Sequence, residues 1–377
     1  MSEGKKDIIL ITDSPVYEHR ADQLFEHFRS RGCNVKVYTT DFDHMKKIKR
    51  ENVNPEYTVI HGIPYMKNIS YQRIRYHQKF AKDALKAVKN EHPDVIWVLV
   101  PSNSLVKSIS KIKKDHPDTK LVFDVIDMWP ETMPSRKLKK IPFANKIWAG
   151  IRDKNINNAD LVITECDLYQ SRLKEFVDPG KMKTLYLARK AYEIKTIPNP
   201  PEDRYSLCYL GSINNIIDIP AICKIITLLK AIKPVDLHII GEGENKDLFI
   251  EEAKKNGANV IYHGTVYDTD EKQKIFDSCH FGINIMKDEV FIGLTMKSMD
   301  YFAGGLPIIN NIKGDTWKFV EDNCIGVNYT GDITLDQLYK VNRSNVRPFF
   351  DKVLSEECFI NETDKILTML LGEGDKV

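Results

Sequence analysis

Residues 292–309 read IGLTMKSMDYFAGGLPII, and this stretch carries the strongest structural signal in the chain. A glycine turn leads into a short helical pattern, which carries Asp300, ends at paired glycines and is followed by Pro307 and a β-branched strand. The N-terminus of a helix has unpaired N–H groups and the positive end of the helix dipole, so it suits a phosphate. An acid further along the helix could reach ribose hydroxyls. The stretch therefore predicts a nucleoside diphosphate site.

The length, net charge and cysteine content of the chain limit the classes of protein to which it can belong. A chain of 377 residues predicts two domains, and a net charge of +2 excludes a general nucleic-acid-binding signature. The seven cysteines are scattered without a Cys-x-x-Cys pair, so neither a disulfide framework nor a zinc site is expected. With no signal peptide and no membrane span in the sequence, we expect a cytoplasmic protein.

Short apolar runs alternate with longer amphipathic stretches along the whole chain. DIILIT at 7–12 and VIWVLV at 95–100 are typical of buried strands, and a second alternating series begins after the proline-rich segment TIPNPPED at 196–203. Such alternation predicts an α/β fold with parallel sheets covered on both faces. We therefore predict two doubly wound, Rossmann-like domains that face each other across a cleft. The predicted boundaries are 1–198, 199–346 and a C-terminal helical segment, 347–377, that could cross back to the N-terminal domain.

Glycine turns follow three successive strands in the C-terminal half: LGS at 210–212, IGEG at 240–243 and HGTV at 263–266. Glycine at a strand end lets the backbone approach a ligand closely. Each turn alone is more simply explained as an ordinary tight connection, which uses glycine in any case. Together with residues 292–309, the three turns favour a ligand site.

The ordered set of these motifs resembles the GT-B glycosyltransferases, and most closely glycosyltransferase family 4 among bacterial capsule and exopolysaccharide enzymes. In the C-terminal half the resemblance rests on YLGS (209–212), IGEG (240–243), HG (263–264) and the Lys297-to-Ile309 stretch. In the N-terminal half it rests on FDVIDMWPET (123–132), NADLVIT (158–164) and IPN (197–199). The likeness spans nearly the whole chain.

The resemblance implies an enzyme that transfers a sugar from a nucleotide-diphosphate sugar to a saccharide acceptor, lipid-linked in this family, with retention of anomeric configuration. No cofactor is implied, and since no Asp-x-Asp motif lies where a metal would be expected, we predict a metal-independent reaction. The residues that the resemblance assigns to donor binding are Gly211, Ser212, Gly241, Glu242, Gly243, Gly264, Val266, Glu289, Gly293, Leu294, Thr295, Met296, Lys297 and Asp300.

Two departures from the family pattern concern the donor site. The family usually has two glutamates separated by seven residues; here Asp300 stands in place of the second and Ile292 in place of the first. Three explanations of Ile292 stay open: Glu289 could substitute for the missing glutamate, the donor sugar could present an apolar edge, or Ile292 could simply serve packing. The family also often has an Arg and a Lys after the first glycine turn, where this chain has SINN. We expect Lys297 and Arg20 to balance the diphosphate charge instead, although a lone lysine on a helix is often solvated.

Asp127 and His19 are the candidate catalytic residues. Asp127 directly follows an apolar strand, where a carboxylate could orient or deprotonate an acceptor hydroxyl; a helix cap or a turn would explain it equally well. His19 lies in the loop after the first strand and could bond a phosphate or the acceptor, whereas a solvent-facing helix histidine is the simpler explanation.

The segment 133–154 mixes seven Lys or Arg with one acid and with large apolar residues, a composition that suits an anionic lipid surface. The membrane patch predicted here comprises Arg136, Lys137, Lys139, Lys140 and Trp148. A solvated loop beside an ordinary helix is the alternative, and no nucleic-acid-binding motif accompanies the segment. The patch predicts a peripheral protein at the inner face of the cell membrane.

Two other functions stay open on the sequence. A sugar-nucleotide epimerase with the same fold would act on the donor without an acceptor. A non-catalytic partner subunit of a glycosyltransferase would explain the missing first glutamate and the missing Arg/Lys pair.

Overall fold

The computed structural model describes residues 5–68, 70–133 and 142–372. The chain forms two compact units, Met1–Leu187 with Ile360–Val377, and Ala188–Phe359. The division falls before the predicted boundary at residue 198, and the last part of the predicted C-terminal helical segment belongs to the first unit.

The first unit is built on a parallel sheet of seven strands in the order β5-β2-β1-β6-β7-β8-β9. Its central strand β6, VIWVLV, is buried at every residue, as expected for a parallel strand covered on both faces. A small antiparallel hairpin, β3-β4, lies outside the sheet. The strands are Asp7–Ile11 (β1), Asn34–Thr40 (β2), Phe42–Asp43 (β3), Ile48–Lys49 (β4), Thr58–Ile60 (β5), Val95–Val100 (β6), Lys120–Val125 (β7), Leu161–Thr164 (β8) and Met182–Thr184 (β9).

Helices cover this sheet. The longest of those before the division is α2, in which Tyr76, Phe80 and Ala84 recur every four residues and are buried, so one apolar stripe faces the core. Its N-terminus is capped by Ser70, whose side chain accepts a hydrogen bond from the Arg73 N–H. The helices are Glu18–Ser30 (α1), Tyr71–Val88 (α2), Asn103–Ile109 (α3), Ile112–Asp115 (α4), Pro142–Asp153 (α5) and Asp167–Leu173 (α6).

The second unit has a parallel sheet of six strands in the order β12-β11-β10-β13-β14-β15. The order reverses between β10 and β13, and in open α/β sheets ligands bind beyond the carboxyl ends of the strands at such a switch point. The strands are Tyr205–Leu210 (β10), Val235–Ile240 (β11), Ala258–Gly264 (β12), Phe281–Asn284 (β13), Ile308–Asn310 (β14) and Gly326–Asn328 (β15).

The helices of the second unit pack on this sheet around an aliphatic core that includes Leu207, Ile226, Leu237 and Ile283. The helices are Ile219–Lys230 (α7), Lys246–Lys255 (α8), Thr269–Asp277 (α9), Met296–Ala303 (α10), Asp315–Asn323 (α11), Leu335–Tyr339 (α12), Val346–Val353 (α13) and Glu356–Leu371 (α14), the last of which continues into the first unit from Ile360. Two parallel, doubly wound sheets confirm the predicted fold class.

The proline-rich segment at 196–203 lies within the second unit. The Thr196 hydroxyl donates a hydrogen bond to the Asp277 carboxylate, and the Asn199 N–H donates one to the Asp277 carbonyl at 2.9 Å. The segment predicted as a linker is therefore attached to helix α9 over part of its length.

Candidate functional site

The three glycine turns are interlocked at the carboxyl edge of the second sheet. The Gly211 N–H donates to the Ile240 carbonyl at 2.9 Å, and the Gly241 N–H donates to the Gly264 carbonyl at 2.7 Å. Gly241 has φ +137°, and a Cβ there would lie 2.1 Å from the Gly211 carbonyl oxygen, so only glycine fits. Packing of backbone on backbone therefore explains this glycine without a ligand.

The turn at Gly211 has more open space on its side. A Cβ added to Gly211, at φ +111°, would meet only the Lys297 side chain, at 3.9 Å, and one added to Gly264 would meet no atom within 4 Å. Here the backbone conformation requires glycine while the space above it is open. A ligand could approach the backbone at these two positions, which lie at the ends of β10 and β12.

Helix α10 begins beside these turns, at a capping box made by Thr295 and Ser298. The Thr295 hydroxyl accepts from the Ser298 N–H at 3.1 Å, and the Ser298 hydroxyl accepts from the Thr295 N–H at 3.3 Å. Within the described residues no acceptor reaches the N–H groups of Met296 and Lys297. The helix therefore presents free donors and the positive end of its dipole.

Three asparagines at strand ends, which the sequence alone did not single out, hold the start of this helix in place. Thr295 donates to Asn284 at 2.8 Å, Asn284 donates to Asn310 at 2.9 Å, and Asn310 donates to Asn328 at 2.9 Å. The three residues end the neighbouring strands β13, β14 and β15. An asparagine as the last residue of three successive strands was the signal that could have revealed this network.

Tyr301 fixes the body of α10 to the sheet. Its hydroxyl accepts from the Leu210 N–H at 2.7 Å and donates to the Cys208 carbonyl at 3.0 Å, so it completes the hydrogen bonding of β10. A Cβ at Gly282 would lie 2.6 Å from the Tyr301 ring, which explains the glycine in strand β13. The helix thereby holds Lys297 and Asp300 in a defined place beside the switch point.

Lys297 is a mostly buried cation beside the Gly211 turn. Its Nζ lies 3.3 Å from the Tyr209 hydroxyl and 4.3 Å from the centre of the Tyr209 ring. No carboxylate among the described residues lies within ion-pair distance of it. Burial alone lowers the pKa of Lys297 to about 8. An anion placed at this turn would meet an amine whose charge has no other compensation nearby.

Asp300 is partly exposed on the same helix. Its Oδ1 lies 3.4 Å from the Arg189 Nε. Burial, followed by the charge of Asp300, raises the pKa of Tyr192 to about 12, so this tyrosine stays protonated beside the carboxylate. The carboxylate is thus accessible to a ligand on one side and paired on the other.

The other predicted donor-binding residues lie at the rim of this edge. Glu242 is exposed and accepts from the Tyr262 hydroxyl; this bond and Lys246 lower its pKa. Ser212 is exposed, with its carbonyl bonded to the Tyr209 hydroxyl at 2.9 Å. Of the remaining predicted positions, Gly243 and Glu289 are exposed, Val266 is half-buried, and Gly293 and Leu294 are buried. Ile292, at the place of the family's first glutamate, is half-buried.

In the first unit, the Asp127 carboxylate is already engaged by three donors. The Tyr17 hydroxyl donates at 2.5 Å, the Trp129 indole N–H at 2.8 Å, and the Thr132 hydroxyl donates as well. Burial, followed by Asp127, raises the pKa of Tyr17 far above its ordinary value. These contacts match the turn explanation of Asp127. His19, the other predicted catalytic residue, is exposed on α1.

Arg20 forms an internal ion pair, so the geometry of the first unit adds no support to its predicted role at the diphosphate. Its Nε and Nη2 donate to the two Asp124 carboxylate oxygens at 2.8 and 2.9 Å, and Nη2 also donates to the Leu185 carbonyl at 3.0 Å. Arg20 is 2 % exposed. Arg20 is the third residue of α1, and its guanidinium satisfies the buried Asp124 carboxylate of strand β7 within the first unit.

A polar cluster lies beside Asp127, and the sequence alone did not reveal it. Asp13, after strand β1, bonds His77 at 2.9 Å, and Arg73 donates to the other nitrogen of His77 at 3.3 Å. The Arg73 guanidinium lies 4.4 Å from the Trp129 ring centre. Arg73 and His77 are one helical turn apart on α2, a spacing that could have indicated a shared face.

Of the predicted membrane patch, Arg136, Lys137, Lys139 and Lys140 lie outside the described residues. Trp148 is half-buried on α5, and its carbonyl accepts from the Asn103 side chain at 3.0 Å. On the same helix Phe143 and Ile147 are 74 % and 55 % exposed. Within the described ranges, no helix combines the length and the apolar character that crossing a bilayer requires.

The described residues also contain no group of three or more His, Cys, Asp or Glu side chains that could hold a metal ion. The candidate site of the second unit is instead made of helix N–H groups, one lysine and one carboxylate around open glycine turns. Such an arrangement can bind a diphosphate next to a ribose.

Comparison with known proteins agrees with this geometry. Residues 204–333 match the family described as glycosyl transferases group 1. A comparison with curated protein sequences finds no match. Among solved structures, the chain is similar to the lipopolysaccharide outer core galactosyltransferase WaaB in its apo form, with 14 % identity, a TM-score of 0.66, and coverage of 96 % of this chain and 99 % of that one.

Two further solved structures are similar over nearly their whole length. Sucrose-phosphate synthase from Thermosynechococcus elongatus has 12 % identity and a TM-score of 0.67, with 97 % of this chain and 99 % of that chain covered. HepE of Anabaena, solved in complex with UDP, has 13 % identity and a TM-score of 0.64, with 97 % and 100 % covered. The chain therefore has the GT-B fold, residues 204–333 of its second unit match the glycosyl transferases group 1 family, and glycosyltransferase is the enzyme class that these comparisons support.

Proposed function

We propose that the protein transfers a sugar from a nucleotide-diphosphate sugar to a saccharide acceptor without a metal ion and with retention of configuration. The observation that carries the proposal is the position of Lys297. This cation lies beside the open Gly211 turn, has no carboxylate partner among the described residues, and belongs to the first turn of a helix with free N–H groups. A diphosphate would satisfy all three features.

The proposed chemistry depends on the charge that develops as the nucleoside diphosphate leaves the sugar. Preorganised N–H dipoles and a cation directed at the β-phosphate stabilise that charge, and they need no reorganisation during the reaction. The free N–H groups of α10 and the Lys297 amine would supply this stabilisation. Asp300, on the same helix, would accept hydrogen bonds from the ribose hydroxyls.

UDP is the first nucleotide to test, because HepE, a similar structure, was solved with UDP bound. We further propose that the acceptor is a lipid-linked saccharide in capsule or exopolysaccharide synthesis and that the protein associates with the inner face of the cell membrane. The exposed Phe143 and Ile147 on α5, next to the basic sequence at 136–140, support the membrane association.

The test is a calorimetric and thermal-shift panel of UDP, GDP, dTDP, ADP and CMP, with and without EDTA. We expect one nucleoside diphosphate to bind clearly and equally well in EDTA, and CMP, which lacks the β-phosphate, to bind weakly. Transfer that requires magnesium would contradict metal independence. If no nucleotide binds, the non-catalytic partner subunit becomes the better explanation.

Conversion of the bound donor in the absence of any acceptor would separate the epimerase from the transferase. An epimerase changes the configuration of the sugar nucleotide and leaves it intact, whereas a transferase releases the free nucleoside diphosphate only when a sugar acceptor or water takes the glycosyl group. Nuclear magnetic resonance of the donor sugar distinguishes the two results.

A further inference from the structure

Arg189 lies just after the division between the units, and its backbone is held on both sides. Its N–H donates to the Leu354 carbonyl at 3.0 Å, and its carbonyl accepts from the Glu356 N–H at 3.1 Å. These two bonds join the segment to the residues that connect α13 and α14. The start of the arginine side chain is therefore fixed in space, which lowers the entropy that its contacts must overcome.

The Arg189 guanidinium points at the carboxylate of the candidate nucleotide site. Its Nε is 3.4 Å from the Asp300 Oδ1, and the two side chains are 31 % and 26 % exposed. In the described ranges, no other Lys, Arg or His lies within ion-pair distance of Asp300. The Nε atom is buried and has no partner with hydrogen-bond geometry in the described structure, so the contact is an ion pair without a hydrogen bond.

The pairing leaves half of the carboxylate available. A carboxylate has about four acceptor positions on its two oxygens, and Arg189 approaches only Oδ1. Asp300 is partly exposed, and no described residue forms a hydrogen bond to its side chain, so apart from Arg189 no polar partner limits the rotation of its carboxylate. A cation on a fixed backbone restricts this rotation and directs Oδ2 away from itself.

We propose that Arg189 is a positioning residue for nucleotide binding, which fixes the direction of the Asp300 carboxylate so that its second oxygen meets the ribose hydroxyls. This inference rests on the proposed function. Arg189 takes no part in the chemistry and acts only through Asp300. Its effect must therefore depend on the ribose hydroxyls of the ligand.

The experiment compares UDP with 2′,3′-dideoxy-UDP, which keeps the base and the diphosphate but lacks both ribose hydroxyls. Calorimetry is run on wild type, Arg189→Gln, Arg189→Lys, Asp300→Asn and the double variant that combines Arg189→Gln with Asp300→Asn. If the panel selects GDP or ADP, that nucleotide and its dideoxy form are used. We expect Arg189→Gln to weaken UDP binding roughly three- to tenfold, within the range of coupling between contacting residues. The loss should be absent with dideoxy-UDP and smaller in Arg189→Lys.

Arg347→Gln is the matched control. Arg347 also bonds α10, through the Ala303 carbonyl at 3.0 Å at the opposite end of the helix, and pairs with Asp351 at 2.8 Å. The Arg347→Gln variant loses a similar guanidinium contact to α10 but keeps the Arg189–Asp300 pair. It should therefore bind both ligands as wild type does. Its melting temperature, measured beside that of Arg189→Gln, shows how much of any change is structural.

Three results would overturn the inference while leaving the proposed function intact. They are unchanged UDP affinity in Arg189→Gln, an equal loss for UDP and dideoxy-UDP, and a full loss that persists when Asp300 is already asparagine. Failure of wild type to bind any nucleoside diphosphate would instead refute the proposed function and the inference with it.

Discussion

Replacement of Lys297 by methionine should stabilise the protein and weaken its nucleotide binding at the same time. Methionine has a similar length and no charge, so the substitution removes the buried cation and keeps most of the packing. Burial lowers the pKa of Lys297 from 10.5 to about 8. At 1.36 kcal/mol for each pH unit, this difference corresponds to about 3 kcal/mol that the charged amine costs the folded state.

The contact with the Tyr209 ring offsets part of that cost, since a desolvated cation–π contact contributes about 1–2 kcal/mol. The net gain in the free energy of unfolding of Lys297→Met should therefore be about 1–2 kcal/mol at pH 7. The gain should depend on pH in a defined direction. In wild type the penalty is complete below pH 8 and disappears as the pH rises from about 8 to 10.5, because the unfolded state binds more protons in this range.

Binding should change in the opposite direction. A hydrogen bond to a charged group contributes about 1.5–3 kcal/mol, so Lys297→Met should weaken nucleoside diphosphate binding about 10- to 150-fold. At pH 8 the free amine is about half protonated and the bound diphosphate favours the protonated form, so wild type should take up about half a proton more than the variant. Calorimetry in two buffers of different ionisation enthalpy measures this uptake.

The assay combines calorimetry with urea unfolding of wild type and Lys297→Met at pH 7 and pH 10. A variant that binds the nucleotide as tightly as wild type would refute the diphosphate role of Lys297. A variant that is less stable than wild type at pH 7 would show that the amine makes a favourable contact in the free protein. Lys297 would then not be an uncompensated cation in the free protein.

Other substitutions test the remaining assignments. Asp300→Ala should weaken nucleotide binding by about 1–3 kcal/mol through loss of the ribose contact, and unchanged affinity in calorimetry would refute that contact. The triple substitution K137E/K139E/K140E should release the protein from anionic vesicles in a sedimentation assay without changing nucleotide affinity; equal vesicle binding would contradict the membrane patch. Arg20→Met leaves a buried carboxylate unpaired and should cost about 3–5 kcal/mol in urea unfolding, with a loss below 1 kcal/mol counting against a structural role.

The fold could be predicted from sequence because its signals are local. An apolar run such as VIWVLV needs only its own residues to indicate a doubly covered strand, and β6 is buried at every position. The glycine turns are equally local, since positive φ at Gly211 and Gly241 is a property of single residues. The carboxyl edge of the second sheet and the helix beside it followed from these features.

The partners of charged and polar side chains could not be predicted in this way. Arg20 was expected at a ligand because its position in a loop-to-helix connection is compatible with one, yet its carboxylate partner lies 104 residues further along the chain. Arg189 and Asp300 are similarly distant and meet only in the folded unit. Such pairs depend on strand order and helix orientation, which a single sequence does not specify.

The hydrogen bonds of the asparagines at the strand ends all run in the same direction from donor to acceptor. Thr295 donates to Asn284, Asn284 to Asn310, Asn310 to Asn328, and Asn328 to the Trp317 carbonyl. One terminus is the Ser298 N–H, which can only donate to Thr295, and the other is a carbonyl, which can only accept. Reversal of any one amide would place two donors or two acceptors face to face, so all three must keep the same orientation.

This one-way sequence of dipoles begins at the residue that caps helix α10. Each hydrogen bond polarises the next in a low-dielectric interior. The Thr295 hydroxyl therefore keeps its proton directed at Asn284, and its oxygen accepts from the N–H of Ser298 in the helix. The hydrogen bonds at the ends of three strands of the sheet thus fix the orientation of the first turn of α10.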